Sequence, residues 1–311
     1  MVEQHPSGAA SWAEEARAVA RAVRRRVLDY TLRNDGGYVS QACSSAELLA
    51  TLYTRLMKLG PSEGPPVPVP FAGVPGPGNP DAKSGAAYNG PRGPELDRFF
   101  FSPVHYALVL YATLIEVGRL APEGLEQFNQ DGGTVELIGA EHSPGHEVTA
   151  GSLAQTLSVA GGVALGRRLK GDAGRCWVFM SDGELQEGQT WEAFQALAHH
   201  RLDTVRVVID ANGQQCDGEM DGVMIIEPAV DRLVAFGADA VEVDGHDVEA
   251  IARAAEAPAQ GKPRVVLART DPCRGIDALQ SRPKKLHHVR FASDEERGRF
   301  RAELAKLSGE G

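Results

Sequence analysis

Four compact apolar runs punctuate the second half of the chain: CWVFM (176–180), VRVVID (205–210), AVEV (240–243) and RVVLA (264–268). Runs of this length without an alternating polar face suit strands buried on both sides, and the segments between them read as helices. The pattern predicts an α/β fold, a doubly wound, mainly parallel sheet flanked by helices. DRFFFS (97–102) adds a short buried strand, and VHYALVLYATLIEVG reads as the helix after it. In such sheets, ligands bind beyond the carboxyl ends of the strands.

Helical periodicity accounts for most of the remainder. Ser11 and Glu14 form a capping box, and Ala16, Val19, Val23, Val27 and Tyr30 then recur at helical spacing, predicting a helix over 12–33. Arg24, Arg25 and Arg26 fall on what reads as its solvated face. After the break NDGGYVSQAC, a second capping box at Ser44 and Glu47 opens the helix SSAELLATLYTRLMKL. Residues 60–95 are so rich in Pro and Gly that they can neither fill a helix nor pair as a central strand, which predicts a long surface loop. From Gly151, the positions Leu153, Leu157, Ala160 and Ala164 predict a helix ending near GRRLKGDAG, and Ser293 with Glu296 caps a final helix over 293–307.

At 311 residues the chain can bury a large core, and it reads as one domain over 1–311 without internal repeats. Lys and Arg number 32 against 42 Asp and Glu, a formal charge of −10 that repels nucleic acid and anionic lipid. The one basic cluster, Arg282-Pro283-Lys284-Lys285, is short and suits a small anion. No window approaches the roughly 20 apolar residues that span a bilayer, and the N-terminus lacks an export pattern, so no membrane association is expected. Cys43, Cys176, Cys216 and Cys273 are scattered without a CxxC pair, which reads as reduced thiols in a cytoplasmic protein.

The chemistry lies at two strand ends. SDGELQEG follows CWVFM directly, and DANGQQCDG closes VRVVID, so Asp182 and Asn212 present a carboxylate and a side-chain carbonyl on one rim. Magnesium takes a few hard oxygen ligands and adds phosphate oxygens, so the pair suits a Mg-diphosphate site. Gly183 lets the backbone approach a phosphate, and a helix beginning near Gln186 would point its N-terminus there. Either turn alone is ordinary strand-end chemistry; together they are far more specific. His142, His146, His199 and His200 read as polar surface residues, and Trp191, Phe194 and Leu197 as core.

SDGELQEGQTWEA followed by VVIDANGQQCDG resembles the thiamine diphosphate motif of transketolases. The likeness covers nearly the whole chain. DRFFFSPVH is similar to the family segment whose histidine touches the diphosphate, SPGHEVTAGSLAQ to the segment beside the cofactor's rings, and SRPKKLHH to the one whose histidine reaches the active centre. The resemblance implies a thiamine diphosphate-binding fold, with Asp182, Asn212 and the backbone carbonyl of Gln214 holding Mg2+, or Ca2+ or Mn2+ in its place. It puts His105, Gly151, Ser152, Leu153, Gly183, Glu184 and His287 around the cofactor. His105 and His287, with His288 as the alternative to the latter, are implied in catalysis, and Glu187 at the subunit interface behind the catalytic carboxylate.

Three departures stand out. Ser181 replaces the first glycine of the family's GDG, Ala154 the second glycine of GxLGQ, and NDGGYVSQ an early histidine-bearing segment, leaving Tyr38 or Gln41 in that space. The likeness reaches only the family's first domain, which implies the N-terminal subunit of a split enzyme. A separate C-terminal subunit would bring the activating glutamate, in an α2β2 assembly. The implied activity is transfer of a two-carbon ketol unit from a ketose to an aldehyde, with small-molecule ketose and aldose substrates. Two further readings use the same residues: the diphosphate-binding subunit of a 2-oxo acid-processing thiamine enzyme, and a non-catalytic thiamine-fold scaffold.

Overall fold

The computed structural model of the protein describes residues 11–282 and 285–309, so Pro283 and Lys284 of the basic cluster lie outside the described residues. In chain order the elements are α1 (Trp12–Arg33), α2 (Val39–Thr51), β1 (Arg98–Phe101), α3 (Ala107–Glu116), α4 (Gln155–Lys170), β2 (Cys176–Ser181), α5 (Gly188–His199) and β3 (Val205–Ala211). They continue with β4 (Gln214–Gln215), β5 (Gly218–Glu219), α6 (Met220–Val223), α7 (Ala229–Ala235), β6 (Asp239–Asp244), α8 (Val248–Glu256), β7 (Arg264–Arg269) and α9 (Asp294–Ser308).

Every predicted strand joins one parallel sheet of order β1-β2-β3-β7-β6. Successive side chains serve opposite cores: Trp177 and Phe179 pack on the side of α1, α2, α3 and α8, whereas Val178 and Met180 pack on the side of α4, α5 and α7. Handedness explains that division. The chain steps one way across the sheet through α4, α5 and α7 and steps back from β6 to β7 through α8, so right-handed crossovers put α8 on the other face. The AVEV run is not buried on both sides, because β6 is an edge strand with Glu242 and Asp244 exposed.

α1 starts at the Ser11 capping box, as its sequence predicts. Its arginines are not a solvated face: Arg24 is buried and paired with Glu47, and Arg26 is paired with Glu116. α2 begins at Val39, not at Ser44. Ser44 and Glu47 imitate a capping box, yet both are buried in the helix interior, where Ser44 reaches Asp210 and Glu47 reaches Arg24. Residues 60–95 carry a 3-10 turn at Gly85–Asn89 and little other regular structure; Tyr88 anchors them by donating to the Pro65 carbonyl at 2.8 Å. His146 is fully buried against Phe101 and Tyr111, not on the surface, whereas His199 and His200 are exposed. All four cysteines are free thiols. Among the described residues, no helix is long and apolar enough to cross a membrane.

Candidate cofactor site

β2 and β3 pair in register up to Ser181 opposite Asp210, so Asp182 and Asn212 leave the sheet side by side. At this rim lies a cavity of about 280 Å³. Its lining brings together His105, Gly151, Leu153, Asp182, Gly183, Glu187, Asn212, Gln214 and His287, nine of the residues expected at the site from the sequence. Ser152 and Glu184 stand outside it.

Glu184 is held by the protein instead. The turn Asp182–Gln186 is 3-10, and α5 starts only at Gly188, so no helix begins at Gln186. Within that turn Glu184 folds inward: its Oε1 accepts from the Ala154 N–H at 2.9 Å and from the Ser102 hydroxyl, and its Oε2 accepts from the Ser181 N–H at 2.8 Å. Burial pushes this carboxyl up while those donors pull it down. A signal for this role was present in the sequence, since Ser181-x-x-Glu184 is itself a capping box. Ala154, which donates to Glu184, sits at φ 70°, a left-handed conformation that favours glycine.

Asp182 has the opposite surroundings. It is 2% exposed, and its Oδ2 accepts from the Gly213 N–H at 2.8 Å. Burial, reinforced by the neighbouring Asp210 carboxylate, pushes it up to about 8. Asn212 is held by a small network: its Nδ2 donates to the Tyr106 hydroxyl at 2.9 Å, and its Oδ1 accepts from the Gln214 N–H at 2.8 Å. Tyr106 donates in turn to Asp210 at 2.7 Å, Ser44 at 2.5 Å, and Thr270 also reaches the same carboxylate. The residues after Asn212 fold back through the β4–β5 hairpin, and the Met220 N–H closes the loop on the Gly213 carbonyl at 2.8 Å.

These residues fit a metal-bound diphosphate. A buried carboxylate raised by desolvation and by a neighbouring carboxylate, despite its backbone donors, is stabilised by a divalent cation, which favours its ionised form. A Cβ placed on Gly183 would meet no heavy atom within 4 Å, so the glycine is not required by packing and keeps its backbone open on the cavity side. Among the described residues, no cluster of three or more His, Cys, Asp or Glu forms a closed metal cage. One carboxylate and one amide carbonyl suit a cation that completes its shell with ligand oxygens.

Burial disfavours the charged form of both histidines at the cavity. The His105 and His287 rings lie 4.9 Å apart, and burial first, His287 second, lowers His105 to about 3. Burial also lowers His287. His288 packs edge-on against Tyr38 with centroids 4.9 Å apart and is not in the lining, so His287 is the one that faces the cavity. Of the two candidates for the space of the absent early histidine, Gln41 lines the cavity and Tyr38 does not. Glu187 is exposed at the lip. Periodicity missed Tyr106 and Asp210, which it placed in a helix and in an apolar strand without a polar role; the readable signal was a carboxylate at the very end of that strand.

Residues 86–295 match the family described as transketolase, thiamine diphosphate binding domain. The chain is 31% identical over 280 residues to the transketolase family protein y4mO of Sinorhizobium fredii, covering 89% of this chain and 90% of that protein. It is 30% identical over 295 residues to the 6-deoxy-6-sulfo-D-fructose transketolase subunit SqwG of a Clostridium species, covering 94% and 96%. Among solved structures, the transketolase of Pichia stipitis superposes with a TM-score of 0.70 at 22% identity, over 95% of this chain and 41% of that one. The chain thus spans less than half the length of that solved transketolase, while matching its relatives named as subunits nearly end to end. By sequence and by fold, it belongs to the family of transketolase thiamine diphosphate-binding domains.

Proposed function

We propose that this chain is the diphosphate-binding subunit of a two-component transketolase-like enzyme, working in the cytoplasm and transferring a two-carbon ketol unit from a ketose to an aldehyde. The observation that carries the reading is the buried carboxylate of Asp182 beside Asn212 at the ends of β2 and β3, on the rim of the cavity. Asp182, Asn212 and the Gln214 backbone carbonyl would hold Mg2+, with Ca2+ or Mn2+ able to substitute, and Gly183 would bring its backbone N–H to the phosphates. Thiamine diphosphate, when bound, supplies the electron sink that lets a bond beside a carbonyl break.

The protein's own work is positioning. Burial disfavours the charged forms of His105 and His287; His105 would donate an N–H to the diphosphate, and His287 would offer a ring nitrogen that can relay a proton to a substrate oxygen. Leu153 gives an apolar surface to the cofactor's rings, and Glu187 at the lip meets the subunit that brings the activating carboxylate. Relatives named as subunits of transketolases support a separate partner subunit; on this reading it is the C-terminal subunit, in an α2β2 assembly.

The test is calorimetric titration of thiamine diphosphate with Mg2+ into this chain, alone and mixed with that partner. Tight binding in the mixture that is lost with chelator is the expected result; no binding in either sample overturns the reading. Ketol transfer from a ketose, as opposed to decarboxylation of a 2-oxo acid, then separates transketolase chemistry from its nearest rival.

A further inference from the structure

The Asn212 amide is gripped at both ends. Its oxygen accepts from the Gln214 N–H at 2.8 Å, and because a backbone N–H offers no lone pair, that contact settles which end of the amide is oxygen. The nitrogen end meets the Tyr106 hydroxyl at 2.9 Å, with Ser44 Oγ and Asp210 Oδ2 farther off, both at 3.3 Å. A tyrosine hydroxyl has one hydrogen, and that of Tyr106 goes to Asp210 at 2.7 Å. Its oxygen is thereby left as an acceptor for the amide. The two grips differ in what stands behind them. Gln214 belongs to the same strand-end loop as Asn212, two residues on. Tyr106 is 1% exposed and packs edge-on against Phe179 of β2, with ring centroids 5.7 Å apart.

We propose that Tyr106 is a positioning residue for the metal: its hydroxyl ties the Asn212 amide to the packed frame and keeps the amide oxygen directed at the cavity. The proposal rests on the cofactor reading above, in which Asn212 is a metal ligand. A carbonyl oxygen has two lone pairs, and the Gln214 N–H takes one, which leaves one for a cation. Groups that orient a ligand without touching the metal commonly change its affinity by about ten- to a hundredfold. Tyr106 also follows His105 directly in the turn Val104–Tyr106, with the two rings 4.7 Å apart. One short turn would therefore set both the diphosphate contact and the metal ligand.

The experiment compares the wild-type complex with Tyr106→Phe, which keeps the ring and removes only the hydroxyl, each assembled with the partner subunit. Thiamine diphosphate is titrated by calorimetry at a series of Mg2+ concentrations, and the concentration that supports half-maximal binding is read from each series. Tyr106→Phe should need about tenfold more Mg2+, reach wild-type thiamine diphosphate affinity once Mg2+ is saturating, and keep the wild-type melting temperature. The same substitution is then made in an Asn212→Asp background, where the side chain has no N–H for the hydroxyl to hold. There it should leave the Mg2+ requirement unchanged. An unaltered Mg2+ requirement in Tyr106→Phe, with or without a lower melting temperature, overturns the proposal. So does a loss by the same factor in both backgrounds. Absence of thiamine diphosphate binding by wild type overturns the cofactor reading itself, and this assignment with it.

Discussion

Asp182 and Glu184 sit in one short turn, are equally buried, and both have carboxyls pushed up by that burial, yet they live in opposite environments. Glu184 receives hydrogen bonds from Ser102, Ala154 and Ser181, which tie the end of β1, the start of α4 and the end of β2 into one corner. Asp182 accepts only from backbone N–H groups of its own loop and of Gly213, ties no side chain to itself, and faces a second carboxylate, Asp210. The comparison separates an acid that completes the fold from an acid that the fold leaves for something else. Stability and cofactor affinity should therefore come apart along this turn.

The largest expected effect breaks the cofactor side. Asp182→Asn removes the only carboxylate proposed to hold the metal, so Mg-dependent binding of thiamine diphosphate is abolished in the calorimetric titration. The same change should stabilise the ligand-free chain. A carboxyl raised from an ordinary 3.8 to about 8 is held protonated by the fold, so its contribution worsens as pH climbs through that window. Each unit of such a shift corresponds to about 1.4 kcal/mol. Urea melts of the metal-free wild type should accordingly weaken between acidic and mildly alkaline pH, and the Asn variant should flatten that slope. A steeper slope in the variant would refute the assignment.

Glu184→Ala attacks the structural side. It strips the acceptor from three buried donors and should cost about 3 kcal/mol or more, read as a lower urea midpoint, with cofactor affinity falling only because the corner loosens. A smaller effect is expected at His105→Ala, where loss of one hydrogen bond to a charged phosphate weakens thiamine diphosphate by about tenfold or more while the melting temperature holds. The smallest is a gain. Ala154 is at φ 70°, a conformation that costs an L-residue about 1 to 2 kcal/mol, so Ala154→Gly, after glycine's entropy cost of about 0.5 to 1 kcal/mol, should leave a small net gain visible as a raised melting temperature.

The sheet was legible because its strands are continuous apolar runs, which only burial between helical layers explains, and the cavity was legible because Asp182 and Asn212 end two of them. What escaped was buried polarity. Ser44 and Glu47 carry the spacing of a helix cap, and only three-dimensional proximity to Asp210 and Arg24 reveals that they face inward. Arg24 was misplaced on the surface for the same reason: a partner distant in sequence, Glu47, makes its burial tolerable, and periodicity does not record it. His146 was misplaced because the aromatic rings that enclose it, Phe101 and Tyr111, come from other elements. Glu184 was assigned to the cofactor by resemblance, although its own local pattern spelled a cap.

The in-register pairing of β2 with β3 has a consequence for how this chain could be rebuilt. Because Ser181 lies opposite Asp210, the distance between Asp182 and Asn212 is set by two adjacent strands and owes nothing to the length of chain that joins them. The interval that makes the motif recognisable is a by-product of α5 and its connections. The exposed turn around His200 and Arg201 could therefore be lengthened, or opened to create new termini by circular permutation, with the two oxygen donors still emerging as neighbours.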